Sequence, residues 1–386
     1  MHRFSEIFTL FAKLGAVAFG GPAAHIALFE TEIVERRRWI DRGHFLDLIG
    51  ATHLIPGPNS TEMALHLGWE RGRWLGLLAA GVGFIGPAML TTLVCAWLYV
   101  ELGTLPAVDA VLAGIQPVVV AIIFMALWRL GNKALSDALR WTIAVGVAAA
   151  ALLGAAEIPA LLIGTLVGTV LLRLRRSLRE PKEPGGGSAA TLLLAPAAVG
   201  APVAASASGV AVGLVPLGIF FLKVGAILYG SGYVLIAFLE GGLVDRYGWL
   251  TSAQLLDAVA IGQLTPGPVL TTATFVGYLV AGVPGALVAT LAIFLPSFVF
   301  VVLLNPIVPR LRRGAWSAAF LDAVNAAAVA LMAAVTLELA TEAVASSPRL
   351  LLFTAAVAML LKTKVHAAWL VLAGALVGLL LGPALG

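Results

Sequence analysis

"HLIPGPNSTE" (53–62) and "QLTPGPVLTT" (263–272) lie 210 positions apart, and each interrupts an apolar stretch with the same Pro-Gly-Pro. A proline inside a helix removes a backbone donor and clashes with the preceding turn, at about 3 kcal/mol. In hydrocarbon the freed backbone groups survive only against protein or a water-filled cavity. The triplet therefore reads either as a tight kink or as the end of one half-helix and the start of another. Proline suits the first turn of a helix, where its missing N–H is not needed.

The surroundings are membrane-like. The 386 residues are 60% hydrophobic and 11% charged, with a mean hydropathy of +1.01. An ordinary soluble domain carries about 25% charged residues. Apolar runs at 75–100, 107–128, 141–172, 285–304, 316–337 and 350–385 reach the roughly 20 residues that span a bilayer. The fold class expected is an all-α polytopic membrane protein with the lipid bilayer as its partner. No segment has the alternation of an outer-membrane barrel. A net charge of +4 gives no argument for nucleic acid as a partner. The single cysteine, Cys95, excludes an intrachain disulfide and reads as a small core residue. The N-terminus resembles a signal peptide, but Lys13 interrupts its apolar region and the segment has an internal counterpart.

That counterpart is an internal repeat. With a shift of 210, residues 11–61 match 18 of 51 positions without a gap. Lys13 falls on Lys223, Gly20 on Gly230, Glu30 on Glu240, Arg36 on Arg246 and Thr61 on Thr271. A period this long marks duplicated domains rather than a solenoid. The expected organisation is one repeat over 1–173, a basic then Gly/Pro/Ala-rich linker over 174–212, and a second repeat over 213–386.

Basic residues choose the cytoplasmic side of a membrane protein. "ERRRW" (35–39) and "ERGR" (70–73) are basic, whereas 245–249 and 280–283 carry only Arg246. The 101–106 loop is neutral or acidic, whereas "NPIVPRLRR" (305–313) is basic. The bias swaps between halves, as it does in inverted repeats. The alternation puts the C-terminus outside; with 22–34 re-entrant, the N-terminus is expected outside too.

Half-helices would turn their N-termini, with free N–H groups and partial positive charge, towards an anion. The candidate ligands at the breaks are Gly57, Asn59, Ser60 and Thr61 in one half and Gly267, Thr271 and Thr272 in the other. Asn59 with Glu62 reads as a capping pair. Lys13 and Lys223 are matched cations inside apolar helices, expected to line an anion pathway unless they snorkel or pair. Gly20 and Gly21, with Gly230, Ser231 and Gly232, permit close backbone approach, either to a ligand or to a packed helix. Glu30 and Glu240 read as ion-paired caps or as coupling groups. His25, His53 and Gln263 are pathway candidates, His53 falling opposite Gln263 under the shift. No nucleophile motif, nucleotide loop or metal-ligand spacing is present, so no catalytic residue, cofactor or metal is expected. An intramembrane enzyme built on His53 or His66 is the reading from another class.

"KLGAVAFGGPAAHIALFETEIVERRRWID", "LIPGPNST", "FLKVGAILYGSGYVLIAFLE" and "QLTPGPVLTTATFVGYLVAG" together resemble the chromate transporter superfamily, in its long, two-domain form. The resemblance covers nearly the whole chain and is weakest over the linker. It implies a multi-pass protein of the bacterial inner (plasma) membrane that exports chromate and confers resistance. Sulfate or another tetrahedral oxyanion is the alternative substrate, and a homo-oligomer is allowed. Reporter fusions near residues 103 and 309 are expected on opposite sides, the first outside and the second in the cytoplasm; same-side reporters would exclude inversion.

Overall fold

The computed structural model describes residues 2–18, 21–53, 55–103, 105–179, 213–229, 232–304, 314–363 and 365–385. Gly20, Gly230, Ser231, the linker from 180 to 212 and the basic 305–313 segment lie outside the described residues. Among the described residues the chain is helical, without strands.

The first half runs α1 (His2–Val17), α2 (Gly21–Phe29), a π-helical extension (Glu30–Arg36), α3 (Arg42–Thr52) and α4 (Asn59–Leu102). It continues through α5 (Pro106–Ala134), α6 (Ala138–Leu152) and α7 (Glu157–Arg179). Helix α7 carries the basic run past residue 173, into the segment expected as linker. The second half repeats the plan with α8 (Leu214–Ile227), α9 (Val234–Leu239), its own π-helical turn (Glu240–Arg246) and α10 (Ser252–Leu264). A single 3-10 turn (Val269–Thr271) then leads into α11 (Thr272–Leu304), followed by α12 (Ala315–Ala343), α13 (Ser347–Lys362) and α14 (Ala367–Leu385).

The repeat reaches down to local chemistry. Asp41 caps α3 by accepting from the His44 N–H, and its match Thr251 caps α10 in a reciprocal box with Gln254. Both π-helical turns close on a tryptophan, Trp39 N–H to Ile33 O and Trp249 N–H to Leu243 O. The following turn needs a positive φ in both halves, supplied by Arg38 (52°) and Gly248 (61°).

Among the described residues, five helices are long and apolar enough to cross a membrane. Two of them, α4 and the helix beginning at Val269, are hairpins rather than straight spans. At Gly72 and Arg73 the backbone leaves the helix, and it does so again at Ala281 and Gly282. A Cβ placed on Gly68 would lie 2.5 Å from the Cβ of Ala80. In a straight helix those residues would be roughly 18 Å apart. Gly277 approaches Ala289 in the same way in the second half. Each hairpin joins a short arm, which begins at the Pro-Gly-Pro, to a long arm that crosses the layer. The exposed face of the long arm of α4 is apolar, with Leu75, Leu78, Val82, Leu90 and Val94.

The long arms run antiparallel. Leu77, near the start of one, shares an apolar cluster with Val301, near the end of the other, and Phe298 packs on Gly81. The 72–73 turn and the 281–282 turn therefore sit at opposite ends, and the repeats are inverted. Arg71 pairs with Glu6 at 3.4 Å and lies over the Trp39 ring at 4.8 Å, which gathers the start of α1 and the 36–42 turn at one end. The N-terminus thus shares the basic end instead of the opposite one: α1 stops halfway through the layer and α2 turns back, so the two together make no crossing. At this end Arg140 and Arg176 both bond Asp322, tying α6 and α7 to α12.

Arg73 holds φ 49° and ψ −134°, a corner that favours glycine, and Gly282 occupies the same corner of the second hairpin. Such strain is worth on the order of 1–3 kcal/mol. Arg73 recovers part of it over the Trp69 ring. Arg73→Gly is therefore expected to stabilise the protein by about 1 kcal/mol, read as a raised melting temperature in detergent. A lowered melting temperature would refute the strain.

Candidate functional site

The two Pro-Gly-Pro segments meet inside the layer, where each opposes the end of a half-helix from the other repeat. The Gly57 N–H donates to Leu228 O at 2.6 Å, and the Gly267 N–H donates to Ala18 O at 2.7 Å. Ala18 and Leu228 are themselves matched by the 210 shift and end α1 and α8. A helix leaves its last carbonyls without partners, and such groups cost several kcal/mol in hydrocarbon. The crossed pair satisfies one such carbonyl in each repeat with a donor from the other. Both glycines carry positive φ, 138° at Gly57 and 91° at Gly267.

Helices do end and restart at the triplets, with Pro58 and Pro268 capping the new turns. The capping pair expected from Asn59 and Glu62 does not form. Asn59 Nδ2 instead meets His53 Nδ1 at 3.1 Å, because the chain before the break swings back over the new helix. The two glycine N–H groups, expected as free donors, are consumed by the crossed bonds. Thr271 and Thr272 donate to the carbonyls of Pro268 and Val269, three residues back, so these hydroxyls serve the turn itself. Ser60 and Thr61 are buried behind the break, and the Thr61 hydroxyl has no partner.

Beside this junction lies a cavity of about 770 Å³. The breaks reach it through His53, Asn59, Gln263, Thr265, Gly267 and Val269. Tyr229 and Tyr233 line it from the α8–α9 connection, and the Tyr233 hydroxyl donates to Gln263 Oε1 at 3.2 Å. The Gln263 amide nitrogen has no partner. Arg129 and Lys133, one turn apart on α5, bring positive charge to the lining. Arg140 and Asp322 also line it, and Asp322, the one acid among the described lining residues, is engaged by Arg140 and Arg176. The cavity thus carries a net positive wall above a floor of amide and hydroxyl groups. Among the described residues, no group of three or more His, Cys, Asp or Glu could hold a metal ion.

Lys13 and Lys223 are not part of it. Both are exposed on the outer faces of α1 and α8, because the inner faces of those helices carry the glycines that meet the long arms: Gly15 packs on Phe84 and Gly225 on Ile293. Glu30 pairs with Arg42 at 3.0 Å, and Glu240 accepts from Ser252 at 2.8 Å; the two stand at opposite ends, outside the cavity. Arg36, expected beside Glu30, pairs with Glu32. His25 is buried against Phe84, with Nε2 3.2 Å from Ala18 O. Gly21 starts α2, whereas Gly232 packs on Val269 and Leu270 of its own break.

Sequence reasoning missed Arg129, Lys133, Tyr229 and Tyr233. Around 229–233 the sequence points only to Gly230, Ser231 and Gly232 as candidates. The four-residue spacing of Arg129 and Lys133 was the available signal, since it puts both on one helix face.

Inverted repeats, helices broken at mid-layer and a cavity at the junction define a membrane transporter. The chain belongs to the chromate transporter family, whose profile matches residues 5–172 and 215–379. It is 34% identical to the chromate transport protein of Cupriavidus metallidurans over 98% of this chain and 94% of that one. It is 33% identical to the chromate transport protein of Pseudomonas aeruginosa, over 98% and 93%. It is 30% identical to a probable chromate transport protein of Synechococcus elongatus, over 91% and 88%. No solved structure matches. The chain is a multi-pass transporter and not an enzyme.

Gly57→Ala and Gly267→Ala force a side chain into positive φ at the crossed bonds. At Gly267 the new Cβ would lie 2.6 Å from that of Ala88. Each is expected to destabilise by about 1–3 kcal/mol. Gly146→Ala, in open space on α6, is the control and should not lower the melting temperature. Equal melting temperatures for all three variants would show that the glycines are not required.

Proposed function

We propose that this protein exports chromate, or a similar tetrahedral oxyanion, from the cytoplasm across the bacterial inner membrane, and so confers resistance. The observation that carries this reading is the cationic cavity ending at both helix breaks. Among the described residues Arg129 and Lys133 face it without an ion partner, and its acid, Asp322, is already paired. The basic end of the molecule is the cytoplasmic end under the positive-inside rule, so the cavity collects anions from the cytoplasm. The curated relatives named as chromate transport proteins support the choice of anion.

Charge on the opposite side favours release. Between α5 and α12 the repeat shift is 209, so Arg129 corresponds to Glu338 and Lys133 to Glu342. Where one repeat offers two cations, the other offers two acids at the far end. An anion is drawn in at one end and repelled from the other. An inside-negative potential adds about 2.3 kcal/mol per charge per 100 mV, or roughly 4.6 kcal/mol for a dianion.

In proteoliposomes, labelled chromate should accumulate on the side reached from the cytoplasmic face under an inside-negative potential, and sulfate should compete. Arg129→Gln and Lys133→Gln each remove a charge-assisted contact worth about 1.5–3 kcal/mol, so apparent affinity should fall roughly ten- to a hundred-fold. Unchanged affinity in both variants would place the oxyanion elsewhere, and exclusive sulfate flux would favour the sulfate carrier.

A further inference from the structure

Glu62 lies on the first turn of the short arm of α4, just past Pro58. It is completely buried, and neither carboxylate oxygen has a hydrogen-bond partner. Its carboxyl packs against Gly57, and a Cβ built there would run into both Glu62 Oε1 and Ser297 Oγ. Ser297, from the long arm of the other repeat, is also fully buried and without a partner. An ionised carboxylate left bare in such a place would cost far more than a folded protein's stability margin. The acid has no counterpart either. The second half is one residue shorter here, the shift being 210 at Thr61 and 209 at Gly68, so Glu62 falls on Thr271 or Thr272, whose hydroxyls are already spent on Pro268 O and Val269 O.

Four further titratable side chains lie on the elements around it. Tyr229, from the α8–α9 connection, is close enough for its hydroxyl to feel a charge on Glu62. His66 lies one turn further along the same arm, buried, with both ring nitrogens unpartnered. His25 on α2 is turned to Ala18 O, and His53 on α3 is turned to Asn59. The cations Arg129 and Lys133 line the cavity and not this pocket.

We propose that Glu62, with Ser297, is a proton-binding site coupled to the oxyanion cavity. A carboxyl and one hydroxyl hold a proton; a sodium ion needs several more oxygens than these two groups provide. The coupling follows from position. Asn59, at the start of the same arm, lines the cavity, and the first-turn N–H groups there carry the positive end of the helix. An ionised Glu62 in that turn offsets this end, and a protonated Glu62 leaves it to an oxyanion. Proton and oxyanion therefore favour each other's binding, by the same factor in both directions. This rests on the oxyanion reading above.

The test is chromate binding to the purified protein in detergent, across the alkaline range in which chromate stays a dianion. Wild-type affinity is expected to fall roughly 5- to 150-fold as pH rises and Glu62 loses its proton. Glu62→Gln imitates the protonated group and should keep the higher affinity at every pH. Proton uptake by the wild type on binding, read in two buffers of different ionisation enthalpy, decides the matter even if the variant folds poorly. The same pH dependence in Glu62→Gln, or zero proton uptake, would overturn the proposal. So would chromate binding that requires sodium at constant pH. An infrared band of a protonated carboxyl, absent in Glu62→Gln, reports the proton site without any oxyanion. If that band titrates while wild-type protein binds no chromate, the oxyanion reading has failed and the proton site stands.

Discussion

Two hydrogen bonds hold the centre of this molecule: Gly57 N–H to Leu228 O, and Gly267 N–H to Ala18 O. Each runs from the broken helix of one repeat to the blunt end of a half-helix in the other. In a bilayer, chain ends cannot be left to solvent, so a helix that stops halfway must be met by a donor. Inverted repeats supply that donor twice, because the two-fold that relates the halves carries each break onto the other's helix end. The Pro-Gly-Pro is then explained residue by residue. The first proline bars the incoming helix from continuing, α10 stopping at Leu264 just before Pro266 and α3 already at Thr52; the glycine turns its N–H outward at positive φ, and the second proline caps the outgoing helix.

Around that centre the packing is built from glycines. Gly68 and Gly76 let the arms of one hairpin touch, as Gly277 and Gly285 do in the other. Gly15 and Gly225 let α1 and α8 lie against the long arms. Without a hydrophobic force between helices in lipid, close backbone contact is what association has to work with. The same contact turns Lys13 and Lys223 outward. Both therefore lie outside the cavity lining.

The two repeats differ most in their ionisable groups. Arg129 and Lys133 answer to Glu338 and Glu342, so matched positions of the two repeats carry opposite charge. Glu62 falls on Thr271 or Thr272 and His66 on Phe275 or Val276, so the matched positions of the second break carry no carboxylate or imidazole. A perfectly symmetric pair of repeats would present the same field to both sides of the membrane. On the export reading proposed above, these differences are what would give transport a direction.

The sequence alone determined the membrane class, the duplication and the inversion. Those follow from apolar length, self-identity and the placement of Arg and Lys, all of which are properties read along the chain. It also placed Asn59, His53, Gln263 and Gly267 at the breaks, where the cavity has them. Only the tertiary structure decided which donors remain free. The N–H groups of Gly57 and Gly267 and the hydroxyls of Thr271 and Thr272 are chemically able to bind an anion, yet local and crossed contacts consume them. Likewise, a lysine in an apolar helix has no readable facing until its neighbours are known, and Arg129 enters the site only because α5 lies beside α12 and the two breaks. Facing and satisfaction are relations between distant segments, so no single stretch of sequence contains them.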